Sequence, residues 1–237
     1  SAQPAGVTVN IAAMGIAPTL TLEYTETEYD RTAKQPAVTV KDGENVIPSD
    51  QYSVEYLNNT NAGTATMTIT GKSVYLGTAK KTFEIGKKAI SPTVNINGWT
   101  YGDPANTPSV TGNPGNGAVA YTYKVKGADD NTYSSTAPTN AGDYTVKAAV
   151  AETDNYAGGT TTADFTISPK TVNNPTITLS ETEYTYNGTE RKPNVTSIKD
   201  GEVEISSSEY TLSYSDNTNA GTATVTVTDN EGGNYTV

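Results

Sequence analysis

The stretch NNTNAGTATMTITG runs from Asn58 to Gly71, and DNTNAGTATVTVTD runs from Asp216 to Asp229. Ten of the fourteen positions are identical. A related phrase, TNAGDYTVKA, lies between them at Thr139–Ala148, so that Asn-Ala-Gly recurs at steps of 79 residues. Repetition at a fixed period is typical of a chain built from repeated structural units. Because units of about eighty residues have the size of small domains, we expect tandem domains rather than one core.

The residues that follow Asn-Ala-Gly alternate between apolar and polar side chains. Between Thr64 and Thr70, the residues Ala65, Met67 and Ile69 share one face and threonines occupy the other. A period of two over such a run is typical of a half-buried β-strand, whereas no segment of this sequence has the apolar period of a helix. Clusters of Pro, Gly, Asn and Asp separate the alternating segments at turn spacing. We predict an all-β chain of three tandem immunoglobulin-like antiparallel β-sandwich domains in an elongated array.

Landmarks that keep the same step along the chain set the domain boundaries. Strands that contain Phe83-Glu-Ile85 and Phe165-Thr-Ile167 close the first two domains, whereas the third reaches Val237 without such a strand. Its last strand is therefore expected to be missing. The resulting interpretation is an N-terminal strand resembling the end of a preceding repeat in residues 1–16, followed by Ig-like domain 1 in residues 17–87, domain 2 in residues 88–168 and domain 3 in residues 169–237.

An incomplete third domain would expose apolar side chains and unpaired backbone groups, which invite pairing with another strand. Val7, Val9 and Ile11 form a short alternating face that suits such a strand. We predict head-to-tail self-association in which residues 7–11 of one molecule complete domain 3 of a neighbour. The alternatives are that both ends fray, or that a longer chain supplies its own strand.

The recurring phrase itself is interpreted as a structural corner rather than a ligand motif. In an immunoglobulin-type sandwich, a tyrosine near the start of strand F bonds back to the corner backbone, and Tyr144 occupies this position. Asparagine can bond its own downstream backbone, and glycine tolerates a positive φ. The other two units have Ala65 and Ala223 at the tyrosine position, so turn chemistry alone must hold those corners. The corner residues are Asn61, Gly63, Asn140, Gly142, Tyr144, Asn219 and Gly221.

The composition excludes several kinds of active site. The 237 residues include neither histidine nor cysteine, which rules out Ser-His-Asp and Cys-His arrangements and histidine-containing zinc sites. Carboxylate pairs such as Glu26 and Glu28 are explained by solubilising charge on polar strand edges. The oxygen-rich stretches 127–131 and 229–234 lack EF-hand spacing, and turn composition is favoured over a calcium site. We therefore expect no enzyme activity, no catalytic residue, no cofactor and no metal.

The charge balance limits the partners. A net charge of −11 and a pI near 4.4 repel phosphate backbones and anionic lipid, so neither nucleic acid nor a membrane surface is an expected partner. No segment approaches the ~20 apolar residues that a membrane span requires, so membrane insertion is not expected. An acidic chain rich in Thr, Asn and Gly suits an extracellular location, secreted or attached to the cell surface.

Short tyrosine motifs resemble the MBG-type bacterial Ig-like repeats, which carry Tyr-Asp-Gly or Tyr-Gly-Asp signatures. Unit 3 has YNGTERKP at Tyr186–Pro193, and unit 1 has YDRTAKQP at Tyr29–Pro36. Arg31 replaces the glycine of the pattern in unit 1, and this disfavours the positive-φ turn that glycine allows. Unit 2 has WTYGDP at Trp99–Pro104, the other signature. The resemblance covers about residues 17–237 and implies an extracellular stalk or adhesin segment of a bacterial cell-surface protein, without family catalytic residues.

We therefore expect a non-catalytic stalk or adhesin segment whose ligand is a host or cell-wall glycan, a protein, or absent. The alternative is a carbohydrate-binding module in which Trp99, Tyr101 and exposed tyrosines stack against sugar rings. Aromatic residues on one strand face also serve as ordinary core, and packing of Trp99 near the boundary of domains 1 and 2 is the simpler explanation for this tryptophan.

Overall fold

The computed structural model describes residues 14–15 and 17–236. Their regular structure is almost entirely β-strand, mostly in antiparallel sheets, which confirms the all-β prediction. None of the helices in this part of the chain has the length and apolar character needed to cross a membrane. Val7, Val9 and Ile11 lie outside the described residues, so the predicted donor strand stays a prediction. The helical segments are single 3-10 turns at Ser49–Gln51, Asp130–Thr132 and Ser207–Glu209.

The first repeat is built from two sheets. Its strands are β1 (Met14–Gly15), β2 (Thr19–Leu22), β3 (Glu26–Glu28), β4 (Val38–Asp42), β5 (Asn45–Val46), β6 (Tyr52–Leu57), β7 (Gly63–Gly71), β8 (Tyr75–Leu76) and β9 (Thr78–Gly86). One sheet has the order β2-β4-β5 and the other β3-β9-β7-β6. In the second sheet β3 runs parallel to β9, and β7 is antiparallel to both of its neighbours. The short β1 pairs in parallel with β8.

The second repeat has the same plan with fewer strands. Its strands are β10 (Thr93–Asn95), β11 (Trp99–Thr100), β12 (Ser109–Thr111), β13 (Val119–Val125), β14 (Gly142–Val150) and β15 (Gly159–Ser168). β10 pairs with β12, and a four-stranded sheet has the order β11-β15-β14-β13. As in the first repeat, the short strand at the edge of the larger sheet, β11, runs parallel to its neighbour.

The third repeat keeps one sheet of this plan and only part of the other. Its strands are β16 (Lys170–Thr171), β17 (Thr176–Leu179), β18 (Val195–Asp200), β19 (Val203–Glu204), β20 (Tyr210–Ser215), β21 (Thr224–Asp229) and β22 (Tyr235–Thr236). β17, β18 and β19 form a three-stranded sheet, and β16 pairs in parallel with β22. Within the described residues, the second sheet contains only β20 and β21.

The cores follow from the alternation of the strands. In β7, Ala65, Met67 and Ile69 are buried while the residues between them are not, as the period of two predicts. Phe83 and Ile85 of β9 cover them from the neighbouring strand. A second buried cluster contains Val94, Val146, Ala148, Phe165 and Ile167, and a third contains Val172, Ile198 and Ile205.

The chain forms two compact units that do not coincide with the repeat boundaries inferred from the sequence. The first unit contains the described residues up to Ser91 together with Gly112–Ala118 and Val150–Gly159. The second unit contains Pro92–Thr111, Val119–Ala149 and the residues from Thr160 onward. Two loops of the second repeat therefore pack with the first repeat, inside the first unit.

Candidate functional site

The Asn61 corner contacts a loop that lies more than ninety residues further along the chain. The Ala62 backbone N–H donates to Oδ1 of Asn155 at 2.9 Å, and Nδ2 of Asn155 donates to Oδ1 of Asn61 at 3.2 Å. Both ends of the Asn155 amide are thus used by the Asn-Ala pair of the recurring phrase. All of these residues belong to the first compact unit.

An aromatic contact lies beside this amide pair. The ring of Tyr156 meets the ring of Tyr29 edge-on, with 5.5 Å between centroids, and both side chains belong to the first buried cluster. The Tyr156 hydroxyl accepts hydrogen bonds from Nε and Nη2 of Arg31 at 3.2 and 3.1 Å. We call this arrangement, formed by Tyr29, Asn61 and Ala62 with Asn155 and Tyr156, the first clasp.

The same arrangement occurs in the second compact unit. The Ala141 N–H donates to Oδ1 of Asn234 at 2.7 Å, and Nδ2 of Asn234 lies 3.5 Å from Oδ1 of Asn140. The rings of Tyr101 and Tyr235 meet edge-on at 5.4 Å. The bond from Ala62 and the bond from Ala141 each span 93 residues. We call this set, Tyr101, Asn140 and Ala141 with Asn234 and Tyr235, the second clasp.

Backbone hydrogen bonds hold the residues on both sides of each clasp. The N–H of Tyr29 donates to the Gly86 carbonyl at 2.9 Å, and the N–H of Tyr101 donates to the Ser168 carbonyl at 2.8 Å. On the other side, the N–H groups of Lys88 and Lys170 donate to the carbonyls of Asn155 and Asn234, each at 2.9 Å. Each clasp therefore joins three backbone features: the end of a long strand, a corner, and the loop that pairs with the next linker.

Arg31 corrects one sequence expectation. An arginine at this position disfavours a positive φ, yet Arg31 has a φ of 73°, close to the 79° of the equivalent Gly188. The local turn is fixed by Asp30, whose carboxylate accepts from the Thr32 N–H at 2.9 Å and pairs with Lys34. These contacts, led by that with Lys34, hold the pKa of Asp30 well below its ordinary value. The two hydrogen bonds from Arg31 to Tyr156 offset the strain of the left-handed backbone.

We predict that Arg31→Ala destabilises the first unit more than Arg31→Gly does. Both variants lose the hydrogen bonds to Tyr156, but glycine adopts a positive φ freely, whereas alanine keeps a strain of about 1 kcal/mol. Urea unfolding followed by the NMR signal of the Met67 methyl group, which is fully buried in this unit, measures the difference. Equal stability of the two variants would contradict a strained backbone at residue 31.

The structure also defines the corner around Tyr144. The Tyr144 hydroxyl donates to the Asn140 carbonyl at 3.0 Å, and its ring stacks on Phe165. Gly142 lies at a φ of 148°, in the range where a side chain is strained, and Gly63 and Gly221 adopt similar values.

Tyr144→Phe is expected to lower the free energy of unfolding of the second repeat by about 1 kcal/mol, because only the corner hydrogen bond is lost. Calorimetry of the variant measures this loss. Thr162→Ala, at an exposed position on β15, is the matched control and should leave the transition unchanged. An unchanged transition in Tyr144→Phe would remove the corner interpretation.

Trp99 and Tyr101, the residues singled out for sugar contact, lie close together and both pack against protein. The indole of Trp99 stacks on Phe165 with 5.3 Å between centroids, and Tyr101 is the tyrosine of the second clasp. Among the tyrosines, Tyr184 and Tyr186 of the third repeat are the strongly exposed ones in the described part of the chain. In that same part, no group of three or more acidic side chains is placed to hold a metal ion.

Sequence reasoning did not identify Asn155, Tyr156, Asn234 and Tyr235 as partners of the corner. A signal was nevertheless present, because Asn155-Tyr156 and Asn234-Tyr235 are separated by 79 residues, the same step as the Asn-Ala-Gly phrases. The first repeat has Val74 before Tyr75 and so lacks this asparagine. A motif pair that shares one period is the pattern that a contact between successive repeats produces.

Comparison with known proteins agrees with this repeat plan. A search of curated proteins finds no match for the chain. A family model described as "MBG domain" matches residues 93–171, a span that contains the second repeat with its corner at Asn140. The resemblance to MBG-type repeats is therefore supported for this part of the chain.

Proposed function

We propose that this chain is a non-catalytic segment of a bacterial surface protein, a stalk or adhesin segment made of three tandem immunoglobulin-like domains in an extracellular setting. The observation that carries the proposal is the clasp, which occurs twice on residues spaced by the repeat period. A site for one ligand needs to occur once, whereas a contact that recurs with the repeat serves a task that successive repeats share. That task is to hold one repeat against the next.

The energetic scale of a clasp suits this task. Its two amide hydrogen bonds contribute about 1 kcal/mol each, and an edge-on aromatic pair adds about 1 kcal/mol. A clasp of roughly 3 kcal/mol keeps the contact closed more than about 99% of the time at equilibrium. The contact still opens before the buried cores do, because it is smaller than the stability of a whole domain, about 5–15 kcal/mol.

Single-molecule force spectroscopy on the whole chain tests the proposal. The double variant Asn155→Ala, Asn234→Ala is expected to lower the force of the first rupture events and to leave the core unfolding events unchanged. Asn131→Ala, an exposed asparagine for which no hydrogen bond is observed, is the matched control. An identical distribution of rupture forces in wild type and double variant would count against a load-bearing role of the clasps.

A glycan array separates this proposal from the carbohydrate-binding alternative. The stalk proposal expects no sugar that is retained by wild type and lost in Trp99→Ala. Selective retention that depends on Trp99 would favour the alternative.

A further inference from the structure

The third repeat presents one open strand edge. Within the described residues, β21 pairs with β20 on one side and with no strand on the other. Its counterpart in the first repeat, β7, is paired on both sides, with β6 and β9. The consequence is visible in the side chains: Ala65 and Met67 are fully buried, whereas the equivalent Ala223 is exposed and Val225 is only half-buried.

The first two repeats show which side chains cover this surface. In the first repeat, Phe83 and Ile85 are 1% and 2% exposed, and Phe83 contacts the rings of Tyr24 and Tyr56. In the second repeat, Phe165 and Ile167 take the same role and are likewise buried. A strand with Phe and Ile two residues apart thus covers the same face in both complete repeats.

The register of the first repeat explains why the fit depends on these two residues. Phe83 lies opposite Ala65, and Ile85 lies opposite Gly63, so each large side chain faces a small one. The third repeat keeps this pair of small residues as Ala223 and Gly221. Large side chains on an added strand would therefore meet the same space in the third repeat.

The third repeat carries a groove at this edge. An open cavity of about 400 Å³ is lined by Leu179, Tyr184, Tyr214, Ala223 and Val225, among others. Arg191 also lines it, and the Nε of Arg191 is buried without a hydrogen-bond partner. A backbone carbonyl of an added strand would supply an acceptor in this region. The groove thus offers apolar space, a row of backbone groups and an unused donor together.

We infer that the open edge of β21 binds a β-strand in which Phe and Ile stand two residues apart on one face with polar residues on the other. The strand pairs antiparallel to β21, with its Phe opposite Ala223 and its Ile opposite Gly221. Backbone hydrogen bonds along β21 provide the affinity, and the groove selects the two apolar side chains. The partner is thus identified by chemistry as a strand of the β9 type.

A fluorescent peptide with the sequence TAKKTFEIG, that of Thr78–Gly86, tests the inference by anisotropy titration with the whole chain. Saturable binding is expected, and it should weaken at least about tenfold when the Phe and Ile of the peptide are both replaced by serine. The chain variant Ala223→Leu fills the space of the Phe and should weaken binding similarly. Thr226→Ala, on the exposed face of β21, is the matched control and should bind like wild type.

Trp99 fluorescence of each variant checks that the chain remains folded. Absence of binding to the wild-type chain, or equal binding of the serine peptide, overturns the inference. A chain that rejects the peptide but self-associates, and that loses self-association on deletion of residues 1–13, would identify the segment with Val7, Val9 and Ile11 as the occupant instead.

Discussion

Phe165→Ala is expected to lower the free energy of unfolding of the second repeat by about 3–5 kcal/mol. Phe165 lies at the centre of the second buried cluster and is 6% exposed. Its ring touches Trp99, Tyr123 and Tyr144, with centroid distances between 5.3 and 6.2 Å. Alanine would leave a cavity lined by three large rings that cannot all move inward. The loss approaches the whole stability of a small domain, about 5–15 kcal/mol.

Trp99, the single tryptophan of the chain, reports this unfolding directly. Urea titrations that follow its fluorescence should show a much lower midpoint for Phe165→Ala than for wild type. Thr162→Ala changes an exposed residue of the same strand and should stay within about 0.5 kcal/mol of wild type. An unchanged midpoint for Phe165→Ala would mean that this cluster is not the core of the second repeat.

Tyr156→Ala is expected to destabilise the first unit by about 3 kcal/mol, although the residue belongs to the second repeat by sequence. Tyr156 is 8% exposed within the first buried cluster, where it contacts Tyr29 and accepts two hydrogen bonds from Arg31. Its removal takes away an aromatic pair and leaves the Arg31 side chain without these partners. The effect should therefore appear in the first unit.

The Met67 methyl signal measures the stability of that unit, since this side chain is fully buried in it. Its unfolding midpoint in urea should fall in Tyr156→Ala. Thr160→Ala, an exposed substitution four residues further along, is the control and should leave the midpoint in place. A first unit as stable as wild type in Tyr156→Ala would show that the loop does not belong to its core.

The strands and their buried faces were predictable because a period of two is a local pattern. The alternation around Met67 identified both the strand and its inward face, and the glycines of the corners marked backbone with positive φ. Local chemistry also explains Tyr144, whose partner Asn140 is four residues away.

The contacts between distant residues were not predictable in the same way. Asn155 is indistinguishable from any turn asparagine until the fold places it beside Ala62, 93 residues away. Arg31 shows the same limit in the opposite direction. Its local preference argued against a left-handed backbone, but hydrogen bonds to Tyr156 and the Asp30 turn outweigh that preference. Tertiary contacts of about 1–2 kcal/mol are enough to reverse a single-residue preference.

Amide hydrogen exchange at Ala62 and Ala141 tests whether the repeated corner holds the asparagine of the next repeat. In the folded chain, these N–H groups donate to the side chains of Asn155 and Asn234, respectively. Asn155→Ala should speed exchange at Ala62 by about tenfold or more and leave Ala141 unchanged, and Asn234→Ala should do the reverse, because each variant removes one acceptor. Exchange at Ala62 that is as fast in the wild type as in Asn155→Ala would contradict the clasp.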